Sequence, residues 1–249
     1  MKYNICIPIP IKSNNLAEIK ELIDRALLFN PEFIELRFDY IDIFQNITED
    51  FIESLKTFIK NKSSLILTFR HHSEGGQIKI DEHERLKALK MLMDSQPDFF
   101  DIEMNSAIET LSSIISLSYM KKVNLIFSYH NFEKTLTNKM AKEIILRFEE
   151  RIIKNELNEF DILGKSIYKL IFTAQNFEDN LVALELCKEI SKNNKKVISF
   201  CMGELGILSR ILNIKSGSFL TYAALEEPTA PGQIKIDTLQ QIYKLLFND

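Results

Sequence analysis

The sequence predicts an α/β protein of one domain, a (β/α)8 TIM barrel over residues 1–249. Three observations carry that expectation. The chain is 249 residues long, room for one large domain or two small ones. It alternates short β-branched apolar runs with longer amphipathic ones, and eight such pairs in this length are the arithmetic of the barrel. Several of the short runs are apolar without interruption, as parallel strands covered on both faces require. A doubly wound open sheet is the competing architecture.

The expected strands occupy residues 3–9, 33–39, 64–69, 99–103, 123–129, 168–173, 196–200 and 217–223. The first helix, 16–29, carries Leu16, Ile19, Ile23, Ala26 and Leu27 near a 3.6-residue period. Segments 83–93 and 139–153 repeat that spacing. The stretch 139–167 is long and charged, and reads as a bent or broken helix. The closing helix is expected over 238–247, with Asp237 as its N-cap.

Composition narrows the function classes. Hydrophobic residues are 45% and charged residues 27%, with a net charge of −4, which excludes a disordered chain. That charge argues against nucleic-acid binding through a global basic surface, but leaves room for a local basic pocket. No run approaches the roughly 18 apolar residues of a membrane span. The opening MKYNICIPIPIKSNN is broken by Pro8 and Pro10 and lacks a small-residue cleavage site, so no secretory signal is expected. Three cysteines, Cys6, Cys187 and Cys201, are an odd number without metal spacing. They read as reduced thiols in a cytoplasmic protein.

A barrel places its chemistry at the C-terminal ends of its strands. Strand two ends in ELRFD, where alternation puts Glu35, Arg37 and Asp39 on one side. Strand three runs through TFR into HHSEGGQ, presenting Arg70, His71, His72 and Glu74. Strand four ends with Asp101 and Glu103, and strand five with Ser128 and His130. Lys169 lies inside strand six, flanked by Ile167, Leu170, Ile171 and Phe172. Strand seven leads through Met202 to Arg210, and strand eight into EEPTAPGQI with Thr229 and Gln233.

Taken singly, each of these has an ordinary reading. One strand-end charge is usually a solvated surface residue, and the ELRFD charges could form a structural ion network. His83 falls in a helical, charged stretch and reads as surface. His71 and His72 sit in a polar loop. The EGG glycines read as a turn with positive φ. No HExxH or CxxC pattern supports a metal site. Lys169 resists such treatment, because a lysine in an apolar strand must snorkel, pair or lose its charge. Lowering its pKa from about 10.4 to 7–8 costs about 3–4 kcal/mol, and gives an amine able to attack a carbonyl. His130, one strand earlier, offers a base near neutral pH, and Glu74 could orient its imidazole. The pattern points to a Schiff-base lyase. Rival readings are an aldolase sharing Lys169, a metal-dependent hydrolase using Asp101, Glu103, His71 or His130, and a barrel that only binds a small acid.

The ordered set ELRFD, TFRHHSEGG, DIE, SYHNF, the Lys169 strand, LSR and APGQI resembles the type I 3-dehydroquinate dehydratase family across nearly the whole chain. That resemblance implies syn elimination of water from 3-dehydroquinate through a lysine imine, the third step of the shikimate pathway. It implies no metal or organic cofactor and a homodimer that binds neither nucleic acid nor membrane. Residue by residue, it implies that Lys169 forms the imine, His130 is the general acid/base and Glu74 supports it. Glu35, Arg37 and Arg70 would hold the substrate hydroxyls and ring, and Arg210 its carboxylate. Gln233, with the APGQ loop, would close over the site, and Met202 and Tyr222 would form apolar wall. Two positions depart from the family pattern. Thr229 stands where many members have Ser, and Pro8 where many have a Ser that reaches the substrate.

Overall fold

The structure, a computed structural model, describes residues 3–247. Its strands and helices alternate along the chain: β1 Ile5–Pro10, α1 Leu16–Leu27, β2 Phe33–Arg37, α2 Glu49–Ile59, β3 Ser64–Thr68, α3 Glu82–Asp94, β4 Phe99–Glu103 and α4 Ile108–Lys121. They continue with β5 Asn124–His130, α5 Asn138–Lys154, the short α6 Ile162–Lys165, β6 Ile167–Thr173, α7 Asp179–Lys192, β7 Lys196–Met202, α8 Ile207–Leu212, β8 Thr221–Tyr222 and α9 Ile236–Phe247. The strands are parallel and run in sequence order from β1 to β7, with β8 on the other side of β1. A parallel bridge between Val197 and Ser218 then brings the two edges together. The molecule is therefore a (β/α)8 barrel, and the open-sheet alternative is set aside.

Strand alternation divides the apolar residues between two cores. Outward-facing side chains such as Ile7, Ile34, Leu67, Ile102, Phe127 and Leu170 pack under the helices. Inward-facing Cys6, Ile66, Ile126, Ile167 and Ile198 fill the lumen. Phe33, Phe99 and Phe219 plug its N-terminal end, with ring centroids 5.5, 5.6 and 5.9 Å apart. Four of the outer helices start where short polar side chains cap them. Asn15, Thr48, Asp81 and Thr137 each accept a backbone N–H from the first turn of α1, α2, α3 and α5.

Several expected boundaries move. Strand β2 stops at Arg37, and Phe38–Tyr40 form a 3-10 turn. Asp39 thus reaches Arg37 from a turn rather than by alternation. The expected strand 217–223 contracts to Thr221–Tyr222, because the chain first leans on β7 at Ser218 before pairing with β1. The charged stretch after β5 is a broken helix: α5 ends at Lys154, and residues 155–161, with Glu156 and Asp161 at φ +58°, separate it from α6. Asp237 lies inside α9 and not before it; the first turn closes from Leu239 N–H to the Lys235 carbonyl. All three cysteines are buried as free thiols.

Candidate active site

Above the isoleucine layer the lumen turns polar. Lys169 projects inward from β6 and donates to Asp101 Oδ2 at 2.9 Å, with Glu35 Oε1 at 3.9 Å. Of the fates open to a buried lysine, the structure shows pairing. Asp101 in turn accepts from Ser128 Oγ at 2.6 Å and lies 2.8 Å from Arg70. Burial alone would raise the Asp101 pKa, but Arg70 and Lys169 outweigh it and hold the carboxyl well below the usual range. Arg70 also donates to Glu103 Oε1 at 2.8 Å, and the second oxygen of Glu103 takes Arg85 from α3. Glu35 accepts from Thr68 Oγ1 at 2.6 Å. Arg37 forks onto Asp39 with two bonds of 2.8 Å.

His130 ends β5 and meets the loop after β3. Glu74 Oε2 accepts its backbone N–H at 3.0 Å and lies 3.1 Å from its Nδ1, while Asn105 donates to Glu74 Oε1 at 3.2 Å. Burial, followed by repulsion from Glu103, pushes the Glu74 carboxyl up to about 7. Burial, then Arg70 and Lys169, pulls His130 well below its ordinary value. Both shifts favour a neutral imidazole, whose Nε2 has no hydrogen-bond partner among the described residues. The EGG turn makes this possible in two ways. Gly75 takes φ +87°, whereas Gly76 does not need positive φ: a Cβ there would sit 2.0 Å from the Arg70 carbonyl oxygen.

The cavity at the C-terminal mouth is lined by every residue expected at the site: Lys169, His130, Glu74, Glu35, Arg37, Arg70, Arg210, Thr229, Gln233, Met202 and Tyr222. Arg210 arrives on α8, buried, with its guanidinium carbon 4.4 Å above the Phe200 ring. Its NH2 donates to the Pro231 carbonyl at 2.9 Å, and its Nε and NH1 have no partner among the described residues. Burial lowers its pKa to about 9. Across the mouth, the Thr229 N–H and hydroxyl both bond Gln233 Oε1, at 2.7 and 3.2 Å. The hydroxyl retained at Thr229 thus holds the loop's own Gln233. Pro8 sits beside Glu35 in register.

Tyr222 packs with Phe200 and Met202 at the cavity wall and also carries a hydroxyl there. Its ring lies 4.8 Å from Lys169 Nζ, and its hydroxyl is buried without a partner among the described residues. His71, His72 and His83 stay outside the cavity. Asp101, Ser128 and Asn105 are functional neighbours that sequence reasoning did not single out for these contacts. Inward alternation on β4 and β5 was the available signal for the first two; Asn105 carried none.

The sequence model of type I 3-dehydroquinase matches residues 5–249. The chain belongs to the type I 3-dehydroquinase family. A 3-dehydroquinate dehydratase of Hydrogenobaculum sp. is 34% identical over 243 residues, covering 97% of this chain and 98% of its own. Among solved structures, the type I 3-dehydroquinate dehydratase of Clostridium difficile superposes with a TM-score of 0.80 at 26% identity, covering 98% of this chain and 92% of that one. The enzyme of Geobacillus kaustophilus shares the fold, with a TM-score of 0.84 at 23% identity over 100% of this chain and 92% of its own. Membership in the 3-dehydroquinase family gives the lumen lysine and its neighbours a chemical context. Among the described residues no helix is long and apolar enough to cross a membrane.

Proposed function

We propose that this chain removes water from 3-dehydroquinate to give 3-dehydroshikimate, through an imine on Lys169, as a step of the shikimate pathway. The observation that carries the reading is the inward Lys169 amine, held by Asp101, beneath a cavity that also presents His130 and an unsatisfied Arg210.

The substrate is an anionic cyclic ketone, and Arg210 offers two free N–H directions to its carboxylate. The Lys169 ammonium yields a proton to the neutral His130, and the amine adds to the ketone carbon. The carbonyl oxygen takes up the protons released by the nitrogen and leaves as water. The protonated imine retains the single positive charge that the ammonium brought, and Asp101 remains its counterion. His130 then removes a proton from the carbon next to the imine, and the electron pair moves toward nitrogen as an enamine. The pair returns to expel the β-hydroxyl, which leaves as water with the proton that His130 took. One imidazole serving both transfers fits elimination on one face. Water hydrolyses the conjugated protonated imine, releasing the enone and restoring the Lys169 ammonium. General acid/base help of this kind is worth typically 10²–10⁴-fold.

Glu74 fixes the His130 ring through Nδ1, and Glu35, Arg37 and Arg70 surround the ring hydroxyls. Gln233 and Thr229 close the mouth, with Met202 as wall. The homodimer rests on family resemblance, and light scattering tests it; the cytoplasmic location rests on the three free thiols. Borohydride reduction with 3-dehydroquinate, followed by mass spectrometry, tests the chemistry. A substrate-dependent adduct on Lys169, enone formation in the untreated protein, and loss of both in a folded Lys169→Ala variant are expected. Folded protein giving neither adduct nor enone would overturn the assignment.

A further inference from the structure

Polar groups are unevenly distributed around the lumen. Strands β2 to β6 contribute Glu35, Thr68, Asp101, Ser128, His130 and Lys169. On the opposite side, β7, β8 and β1 present Phe200, Met202, Tyr222, Cys6 and Pro8. The Tyr222 phenol is the one strand-borne hydroxyl facing the lumen on that side among the described residues. The residue is only 5% exposed, and the hydroxyl has no partner there. A buried donor in that condition destabilises the free protein, and such groups are rare unless something else satisfies them.

Its position says what that something is. The ring flanks the Lys169 amine at 4.8 Å, and after burial Glu35 is the strongest influence on the phenol, followed by Cys6 and Asp101. Glu35 Oε1 is itself 3.9 Å from Lys169 Nζ. Phenol, carboxylate and amine therefore converge on one spot. Once Lys169 is bonded to the substrate's ketone carbon, the neighbouring ring carbons and their oxygens are held beside the amine that Tyr222 and Glu35 flank.

We infer that Tyr222 is a substrate-binding and specificity-determining residue whose hydroxyl, with Glu35, grips the substrate hydroxyl adjacent to the imine carbon. Glu35 accepts from that hydroxyl and Tyr222 donates to its oxygen. In 3-dehydroquinate this is the hydroxyl at C4, which the elimination leaves in place. The grip sets the rotation of the ring about the new C–N bond, and so presents the C2 proton to His130. A site built to bond a hydroxyl discriminates against analogues that lack it. The inference rests on the dehydratase reading above.

Tyr222→Phe removes the hydroxyl and keeps the ring. With 3-dehydroquinate, kcat/KM is expected to fall about fivefold to twentyfold, through kcat as well as KM, as one lost hydrogen bond near a charge predicts. The borohydride adduct on Lys169 should persist. Without ligand the variant should melt at the same temperature as the parent or higher, since an unpartnered polar atom has gone. With the 4-deoxy analogue the two proteins should show equal kcat/KM, closing a cycle that isolates this contact. Unchanged kinetics on 3-dehydroquinate would overturn the inference, as would an equal penalty on the analogue or a lower melting temperature. If the parent itself neither turns over nor traps 3-dehydroquinate, it is the dehydratase reading that fails.

Discussion

Arg210 is a buried cation with little inside the protein to answer it. Among the described residues only the Pro231 carbonyl accepts from it, Phe200 lies beneath, and burial brings its pKa down to about 9. At pH 7, below both its folded and its ordinary value, the whole of that desolvation penalty is present. Such a site costs stability in the free protein and recovers it when an anion arrives, the common bargain of a binding residue. Arg210→Met should therefore raise the melting temperature of the free protein. It should also raise KM for 3-dehydroquinate by about 100-fold, the loss of a charge-assisted pair, with kcat affected less. Calorimetry and steady-state kinetics check both halves, and an unchanged KM would place the carboxylate elsewhere. The residue chemistry of this site was largely legible in the sequence, because strand ends announce themselves by polar letters after apolar runs. What Lys169 pairs with was not legible. Its partner Asp101 lies two strands away on β4, and only the inward curvature of the sheet brings them to 2.9 Å.

At the scale of elements, the β8–α9 loop decides whether the mouth can close. It is held by Tyr40 OH on the Thr229 carbonyl at 3.1 Å, by Gly203 N–H on the Pro231 carbonyl at 3.2 Å, and by Glu226 on Arg25 of α1. Its tightest point is Gly232, at φ +75°, where a Cβ would stand 2.3 Å from the Gly203 carbonyl oxygen. Backbone cannot yield as a flexible side chain can. Gly232→Ala should lift the loop from its seat and lower kcat/KM at least tenfold, while the melting temperature moves little, because the barrel beneath does not depend on the loop. Parent-like activity would show that the loop's seat is dispensable. Elements also differed in how readily they could be read. Strands β2 to β7 are buried on both faces and so appear as apolar runs. The eighth spans only Thr221–Tyr222, since its chain serves two neighbours in turn, and an apolar run over 217–223 does not reveal that division. Arg85 reads as one more charge in a polar helix, yet is buried against Glu103.

The whole molecule feels its active site through pH. Glu74 titrates at about 7 in the fold against an ordinary 4.5, because it is buried beside Glu103. A carboxyl raised in this way favours the fold fully below pH 4.5 and loses that contribution as pH climbs through about 7. His130 acts in the opposite sense. Held below its ordinary 6.5, it contributes fully above that pH and loses the contribution as pH falls through its lower folded value. The two side chains thus pull the stability of the barrel in opposite directions across the range where the dehydration would run. Glu74→Gln deletes the first pull and keeps an oxygen to accept the His130 backbone N–H. At 1.36 kcal/mol per pKa unit the deletion is worth about 3 kcal/mol above pH 8, and about 2–4 °C of melting temperature follow from each kcal/mol in a domain of this size. The variant should therefore outlast the parent at pH 8, and the advantage should shrink toward zero as pH approaches 4.5. Turnover should move the other way, falling because a neutral amide cannot steady the imidazolium that His130 becomes. Melting curves from pH 4.5 to 8, set beside pH–rate profiles, separate the two effects. A constant offset between the proteins at every pH would show that Glu74 carries no raised titration, and that His130 is positioned by its hydrogen bonds alone.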